Sequence, residues 1–218
     1  QKGGGTIADL VLLYPNGKGA HVDVTASLIS TAAGEHQERM AFLTFKDVTE
    51  KHELECQLFE AAQKDALTGL FNQRSFHNHL AWALKRAREK DTSVTLLMID
   101  LDNFKQCNDR YGHQIGDQVL ASVGKVIVSS TRTGCSDEGF RCGGDEFAVI
   151  LENADAAAGT AVARRMQSHF DETDRYETTM SIGVAMCKGD IPEEAFLRQA
   201  DQALYKAKAM GRNAIQVA

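Results

Sequence analysis

Residues 93–102, "SVTLLMIDLD", are apolar on both parities: Val94, Leu96 and Met98 alternate with Leu97, Ile99 and Leu101. Side chains along a strand alternate between its two faces, so a strand of this composition must be covered on both sides. An open sheet with one face in water is excluded for this segment. The neighbouring periodicity supplies the cover. Apolar residues recur at helical spacing over residues 75–90 (Phe76, Leu80, Leu84, Ala87), 116–130, 156–170 and 193–210. Further strands are read at "TMSIGVAMC" (179–187) and "NAIQVA" (213–218), which predicts an α/β layered domain.

A second stretch, "RCGGDEFAVI" (141–150), sets Gly143, Gly144, Asp145 and Glu146 inside an otherwise apolar segment. Gly and Asp are depleted in strands, and Gly-Gly between apolar runs signals a hairpin. Two readings are open from these residues alone. One is a tight turn carrying solvated acids; the other is a metal and phosphate site at the hairpin tip.

Composition narrows the field. A chain of 218 residues with 43% hydrophobic and 25% charged residues is of ordinary globular character. A net charge of −6 argues against a sequence-independent nucleic-acid binder, which needs a basic face. The five cysteines (Cys56, Cys107, Cys135, Cys142, Cys187) are scattered, odd in number and without C-x-x-C spacing. This pattern suits reduced thiols in a cytoplasmic protein better than a disulfide framework or zinc site. No apolar run approaches the ~20 residues of a membrane span. The first residue is Gln1, so a fragment of a longer protein is expected, and the missing part is where any membrane anchor would lie.

Residues 6–47 read as β. Two apolar-rich runs flank Pro15-Asn16-Gly17, a turn signal, and a third, "RMAFLTFKDV", follows the polar stretch 31–38. Three strands without a covering helix form a marginal unit. At "DVTEKHELECQL" the period changes: Asp47 and Glu50 are spaced as a capping box, and Leu54, Leu58, Ala61 and Ala62 recur at helical spacing. Such a helix lacks a full core face of its own, and a second copy would cover it as a short coiled coil. The expected division is 1–49, a β segment; 50–64, a linker helix; and 65–218, the α/β domain.

Asp100 and Asp102 close the buried strand on one face, although a lone D-x-D at a strand end is usually only a solvated edge. Asp145 and Glu146, being adjacent, serve one site only if the backbone turns between them, which Gly143-Gly144 permit. Carboxylates converging on Mg2+ would bring phosphate oxygens with them. Lys105, Lys208 and Arg212 are the cations available to a triphosphate, while Lys208 and Arg212 at i,i+4 would equally suit an ordinary exposed helix face.

"RCGGDEF" resembles the signature of the GGDEF family, the diguanylate cyclases, and four further blocks resemble the family pattern in order. "DALTGLFNQRSF" (65–76) is similar to its opening D-x-L-T-G-L-x-N-R-R-x-F, departing at Gln73. "DLDNFKQCNDRYGHQIGD" (100–117) is similar to D-x-D-x-F-K-x-x-N-D-x-x-G-H-x-x-G-D. "SIGVA" (181–185) and "ADQALYKAKAMGRN" (200–213) resemble the last two blocks. The β segment ending in "DVTE" resembles the last strands of a PAS sensor domain, on fewer residues.

The resemblance implies a ferredoxin-like sheet akin to nucleotide-cyclase palms, and condensation of two GTP into cyclic di-GMP with release of two pyrophosphates. It implies that Asp100, the carbonyl of Leu101, Asp145 and Glu146 hold two Mg2+ ions, with Mn2+ as the alternative. Asn103, Phe104 and Lys105, with Gly143 and Gly144, would lie along the phosphates, and Lys208 and Arg212 would meet the terminal ones. Asn108 and Asp117, with His113 nearby, would read guanine. Because the product joins two nucleotides head to tail, a homodimer is implied. An inhibitory R-x-x-D site of the family is degenerate here: Asp137 is present, Gly134 stands in place of its Arg, and Arg132 is the nearest substitute. A silent GGDEF domain that senses GTP or cyclic di-GMP, and a pure interaction module, are the competing functions. Loss of a signature acid would mark the first, and the second would not need Asp100, Asn108, Asp117 and Asp145 together.

Overall fold

The computed structural model describes residues 4–13, 19–33, 36–132, 136–173 and 176–218. The chain divides into two compact units, residues 1–62 and 63–218.

In the first unit, β1 (Gly4–Leu13), β2 (Gly19–Ala33) and β3 (His36–Asp47) form an antiparallel sheet in that order. The Pro15-Asn16-Gly17 turn lies outside the described residues. Pairing of β2 with β3 extends into the polar stretch 31–38, with Thr31 opposite Glu38 and Ala33 opposite His36, while residues 34 and 35 lie outside the described residues. Helix α1 (Thr49–Gln63) follows. Asp47 does not close the expected box with Glu50; its Oδ1 accepts from the Thr49 N–H at 2.9 Å, and Thr49 Oγ1 accepts from the His21 N–H. Leu54, Leu58 and Phe59 on α1 are exposed.

The second unit is a six-stranded sheet with helices on both faces. Its elements are β4 (Phe71–Asn72), α2 (Gln73–Lys90), β5 (Val94–Asp102), α3 (Phe104–Tyr111), α4 (His113–Ser130), β6 (Glu138–Arg141), β7 (Glu146–Glu152), α5 (Ala156–Thr173), β8 (Thr179–Cys187), α6 (Glu193–Ala209) and β9 (Ile215–Val217). Strand order is β4-β6-β7-β5-β8-β9. The four inner strands are antiparallel, and β4 and β9 join the edges in parallel. This is the ferredoxin-like arrangement with one short strand added at each edge.

The two-sided burial of β5 is the centre of this fold. Leu97, Ile99 and Leu101 enter one core with α4 and α5, through Val119, Val123, Ile127, Met166 and Phe170. Val94 and Leu96 enter the other with α2 and α6, through Phe76, Leu80, Phe196 and Ala200. Each buried Leu, Ile or Phe contributes about 1.5–3 kcal/mol relative to exposure, so both layers are held by the same central strand. The α2 start is capped by Asn72, whose Oδ1 accepts from the Ser75 N–H at 3.1 Å. On the opposite side of this layer, α6 runs against β8 so closely that a Cβ on Gly183 would stand 2.3 Å from both the Ala200 carbonyl and the Leu204 nitrogen.

Candidate active site

The end of β5 and the β6–β7 hairpin build the site. In the antiparallel register Asp100 lies directly opposite Glu146, and the Leu101 N–H donates to the Asp145 carbonyl at 3.2 Å. Asp145 sits in the bend just before β7 and Glu146 is the first residue of that strand. The turn that the two adjacent acids need is therefore present. Its glycines act differently from the expectation, since neither Gly143 nor Gly144 takes a left-handed φ. What matters is the missing side chain. A Cβ on Gly143 would come within 2.9 Å of Glu146 Oε2, and around Gly144 the space is open, so backbone rather than side chain faces any ligand there.

The electrostatics of Asp100 are unfavourable to its charge. Burial pushes its carboxyl above the usual carboxylate value; Lys208 opposes this, and the neighbouring Asp145 and Asp102 add to the rise. Lys208 Nζ lies 2.7 Å from Asp100 Oδ2. A divalent cation would relieve the same crowding. Among the described residues no three His, Cys, Asp or Glu side chains converge as a ready-made metal cage. Asp100 and Asp145 with the Leu101 carbonyl are hard oxygen donors, too few to enclose an ion. They fit Mg2+, which keeps waters and takes substrate phosphates for the rest of its shell.

Asp102 is spoken for. Two per cent exposed, it accepts from Thr179 Oγ1, Ser181 Oγ and the Asn213 N–H. Arg212 is not on α6 with Lys208: the helix ends at Ala209, and Gly211, Arg212 and Asn213 all have positive φ. The alternative of one i,i+4 helix face carrying both cations gives way to a helix end and a left-handed turn.

Sequence periodicity missed α3. Its start is Asn103, in the left-handed region at φ 62° and without a side-chain cap. The first N–H groups of α3, from Phe104 and Lys105, thus lack the capping partner that helix starts usually have, beside the acids. Such an end attracts phosphate. Asn108 packs on Gly116 of α4: a Cβ there would meet Asn108 Oδ1 at 1.9 Å and the Phe104 ring at 3.2 Å. Gly112, at φ 86°, makes the corner between α3 and α4 and donates to the Asn108 carbonyl. His113 and Asp117 are exposed on the first turns of α4, and Lys105 is exposed on α3. The contacts gather Asp100, Leu101, Asp145, Glu146 and Lys208 on one side and Phe104, Asn108 and Gly116 on the other. A cavity of about 170 Å³ lined by Asn103, Cys107, Arg110, Tyr111 and Tyr176, among others, shares only Asn103 with the predicted set.

Two residues outside the predicted set brace the hairpin. The Arg141 guanidinium donates to the carbonyls of Gly143 and Gly144 and to both oxygens of Asp65. Burial pushes the Asp65 carboxyl up, but hydrogen bonds from Thr68 and the Arg141 charge outweigh it and hold the pKa below the usual range. The sequence signal was the Asp-x-x-Thr spacing at 65–68, a local side-chain-to-backbone turn. Cys142, next to the first glycine, has its thiol pushed up to about 12 by burial, with Glu146 and Asp201 adding to it. At the degenerate R-x-x-D, Gly134 lies outside the described residues. Arg132 forks onto Asp137, with Nε and Nη2 donating at 2.8 and 2.6 Å, and also reaches the Glu152 carbonyl.

The family model described as diguanylate cyclase, GGDEF domain, matches residues 62–214. The chain belongs to the GGDEF diguanylate cyclase family. It is 42% identical over 154 residues to diguanylate cyclase DgcS of Shewanella oneidensis, covering 70% of this chain and 51% of that protein. To diguanylate cyclase DgcM of Escherichia coli K12 it is 34% identical over 227 residues, covering 99% of this chain and 52% of that one. The chain spans about half the length of these relatives. Among solved structures, the coiled coil and GGDEF domain of DgcB from Caulobacter crescentus, in complex with c-di-GMP, superposes with a TM-score of 0.73 at 30% identity, covering 78% of this chain and 93% of that one. The residues that the family model matches are nearly all in the six-stranded unit, and no helix among the described residues is long and apolar enough to cross a membrane.

Proposed function

We propose that this chain condenses two GTP into cyclic di-GMP, releasing two pyrophosphates. The observation that carries this reading is the pairing of Asp100 with Glu146 across β5 and β7, with Asp145 hydrogen-bonded through its backbone to Leu101 and Lys208 alongside.

In this reading Asp100, the Leu101 carbonyl, Asp145 and Glu146 hold Mg2+, which supplies Lewis-acid polarisation of the α-phosphate and neutralises the leaving pyrophosphate. The N-terminal amides of α3 and the open backbone at Gly143-Gly144 seat phosphate oxygens. Lys208 and Arg212 balance the terminal phosphates. Asn108 and Asp117, with His113 nearby, read the base: a carboxylate accepts from both N1–H and the 2-amino group of guanine, whereas adenine presents neither donor and leaves the acid unpaired. The 3′-oxygen of one nucleotide attacks the α-phosphorus of the other, the bond to the β-phosphate oxygen breaks, and Asp145 takes the 3′-hydroxyl proton. Each site holds one GTP, so two subunits face one another about a two-fold axis, and two such attacks close the ring. We assign residues 1–49 to the end of a PAS-like sensor, 50–64 to a linker helix that sets dimer geometry, and 65–218 to a cytoplasmic catalytic domain.

Purified chain with GTP and Mg2+ is expected to release pyrophosphate, and Asp145→Asn to stop release while keeping its melting behaviour. Removing a charge at a partly exposed bend changes stability by less than about 0.5 kcal/mol. Near-normal release by folded Asp145→Asn protein would overturn the assignment.

A further inference from the structure

We propose that Asp102 is a positioning residue that aims Arg212 at the nucleotide by holding a left-handed turn, and not a metal ligand. This rests on the reading of Arg212 as a phosphate cation. The argument starts from the D-x-D at the end of β5, where both carboxylates share a face but meet different partners. Asp100 meets Lys208, on α6. Asp102 meets hydroxyls and backbone: Thr179 Oγ1 at 2.8 Å, Ser181 Oγ at 2.8 and 3.0 Å, and the Asn213 N–H at 3.0 Å. Thr179 is its direct cross-strand partner on β8. With only 2% exposure and three donors on its two oxygens, from Thr179, Ser181 and the Asn213 N–H, this carboxylate has little left to offer an ion.

What Asp102 holds is unusual. Arg212 and Asn213 have φ of 67° and 43° and follow Gly211 at 113°. Left-handed backbone is disfavoured for residues with a Cβ and persists where surrounding contacts enforce it. The bond from the Asn213 N–H to Asp102 is one such contact, and the Ile182 N–H donating to the Ala214 carbonyl at 2.9 Å is the next along the chain. Arg212 Nε lies 4.0 Å from Asp102 Oδ1, while its side chain is 58% exposed. The stem is therefore steered from below and most of the guanidinium is left for a ligand. The two acids of one strand end thus orient the two cations: Asp100 pairs with the one on α6, and Asp102 sets the backbone of the one beyond it.

The test is Asp102→Asn in the full chain, which keeps the shape, removes the charge and places a donor among donors. Expected are a rise in KM for GTP of about tenfold, the scale of one lost charge-assisted contact, kcat changed less than about twofold, and an unchanged Mg2+ concentration for half-activation. Hydrogen exchange at the Asn213 amide should accelerate while the β5 amides keep their protection. Arg212→Ala should raise KM alike, and the double variant should add little to it. A shifted Mg2+ requirement, or an unaltered Asn213 exchange rate, overturns the positioning role. An unchanged KM in Arg212→Ala overturns the phosphate reading instead, and the exchange result then judges the anchor by itself. Should Asp102→Asn fail to fold, Thr179→Val, which removes one donor and leaves the carboxylate, must still raise KM in the same direction; an unchanged KM in that folded variant counts against the proposal.

Discussion

Lys208 Nζ and Asp100 Oδ2 stand 2.7 Å apart, a cation and an acid that the proposed chemistry assigns to different partners. Without nucleotide and metal they satisfy each other, yet burial still pushes the Asp100 carboxyl upward. An acid whose pKa is raised on folding contributes stability below its ordinary value of 3.8 and loses it as pH rises through the raised value. Asp100→Asn, free of that loss, is expected to melt slightly higher than the parent chain at neutral pH without Mg2+. The gap should close as the medium is acidified toward the ordinary carboxylate range. Added Mg2+ should stabilise only the parent. Melting curves across pH, with and without Mg2+, check this, and a parent chain more stable at neutral pH without Mg2+ would refute it.

Base choice is the second prediction. Asp117 is exposed at the start of α4, one residue beyond the Gly116 that packs on Asn108. Asp117→Ala is expected to weaken GTP binding by about tenfold or more, the cost of unpairing a polar contact, while barely changing the weak binding of ATP. Competition between the two nucleotides decides, and equal losses would remove Asp117 from the guanine contact.

Product feedback is the third. Arg132 is engaged by Asp137 and the Glu152 carbonyl, so neither member of this pair is available to clamp a guanine or phosphate without first breaking the fork. No inhibition by cyclic di-GMP tighter than ~1 μM, about −8 kcal/mol, is expected through this site. Titration of product into a steady-state assay tests it. Tighter inhibition that disappears in Asp137→Ala would show that the fork opens for ligand.

A fourth concerns assembly. Leu54 and Leu58, four residues apart on α1, are exposed together with Phe59, an apolar stripe suited to a second copy of the same helix. Activity is expected to rise more steeply than protein concentration between ~1 nM and ~10 μM, roughly −12 to −7 kcal/mol, and Leu58→Glu should shift that rise upward. Strict proportionality over the range, with light scattering reporting monomer, would exclude the requirement for two facing subunits.

Much of this fold was legible because its elements have strong periods. The strand 179–187 was read residue for residue, and β5 began one residue later than read. Helix α3 was missed because "FKQCNDRY" buries one residue, Cys107, and shows no apolar stripe. Strand β4 is two residues long and exists by pairing with β6, which no local pattern encodes. The last helix was read to Met210, one residue past its end at Ala209, and the alternative that set Arg212 on a helix face with Lys208 fails at Gly211. At the site, residue types were recoverable but their pairings were not. That Asp102 would face two hydroxyls and an amide, or that Arg141 would bridge Asp65 to the hairpin tip, depends on contacts between residues 76–111 positions apart.

Gly183 carries a cost that an activity screen would misfile. Any side chain there meets the backbone of α6 at Ala200 and Leu204, and Lys208 stands one helical turn beyond Leu204. A helix displaced as a rigid rod transmits its shift undiminished to its end. Gly183→Ala would thus register as a lesion in nucleotide handling, although residue 183 is not one of the residues assigned to the nucleotide. Drug-resistance or loss-of-signal alleles mapping to "SIGVA" need not report a missing contact; they can report a lever moved at its fulcrum.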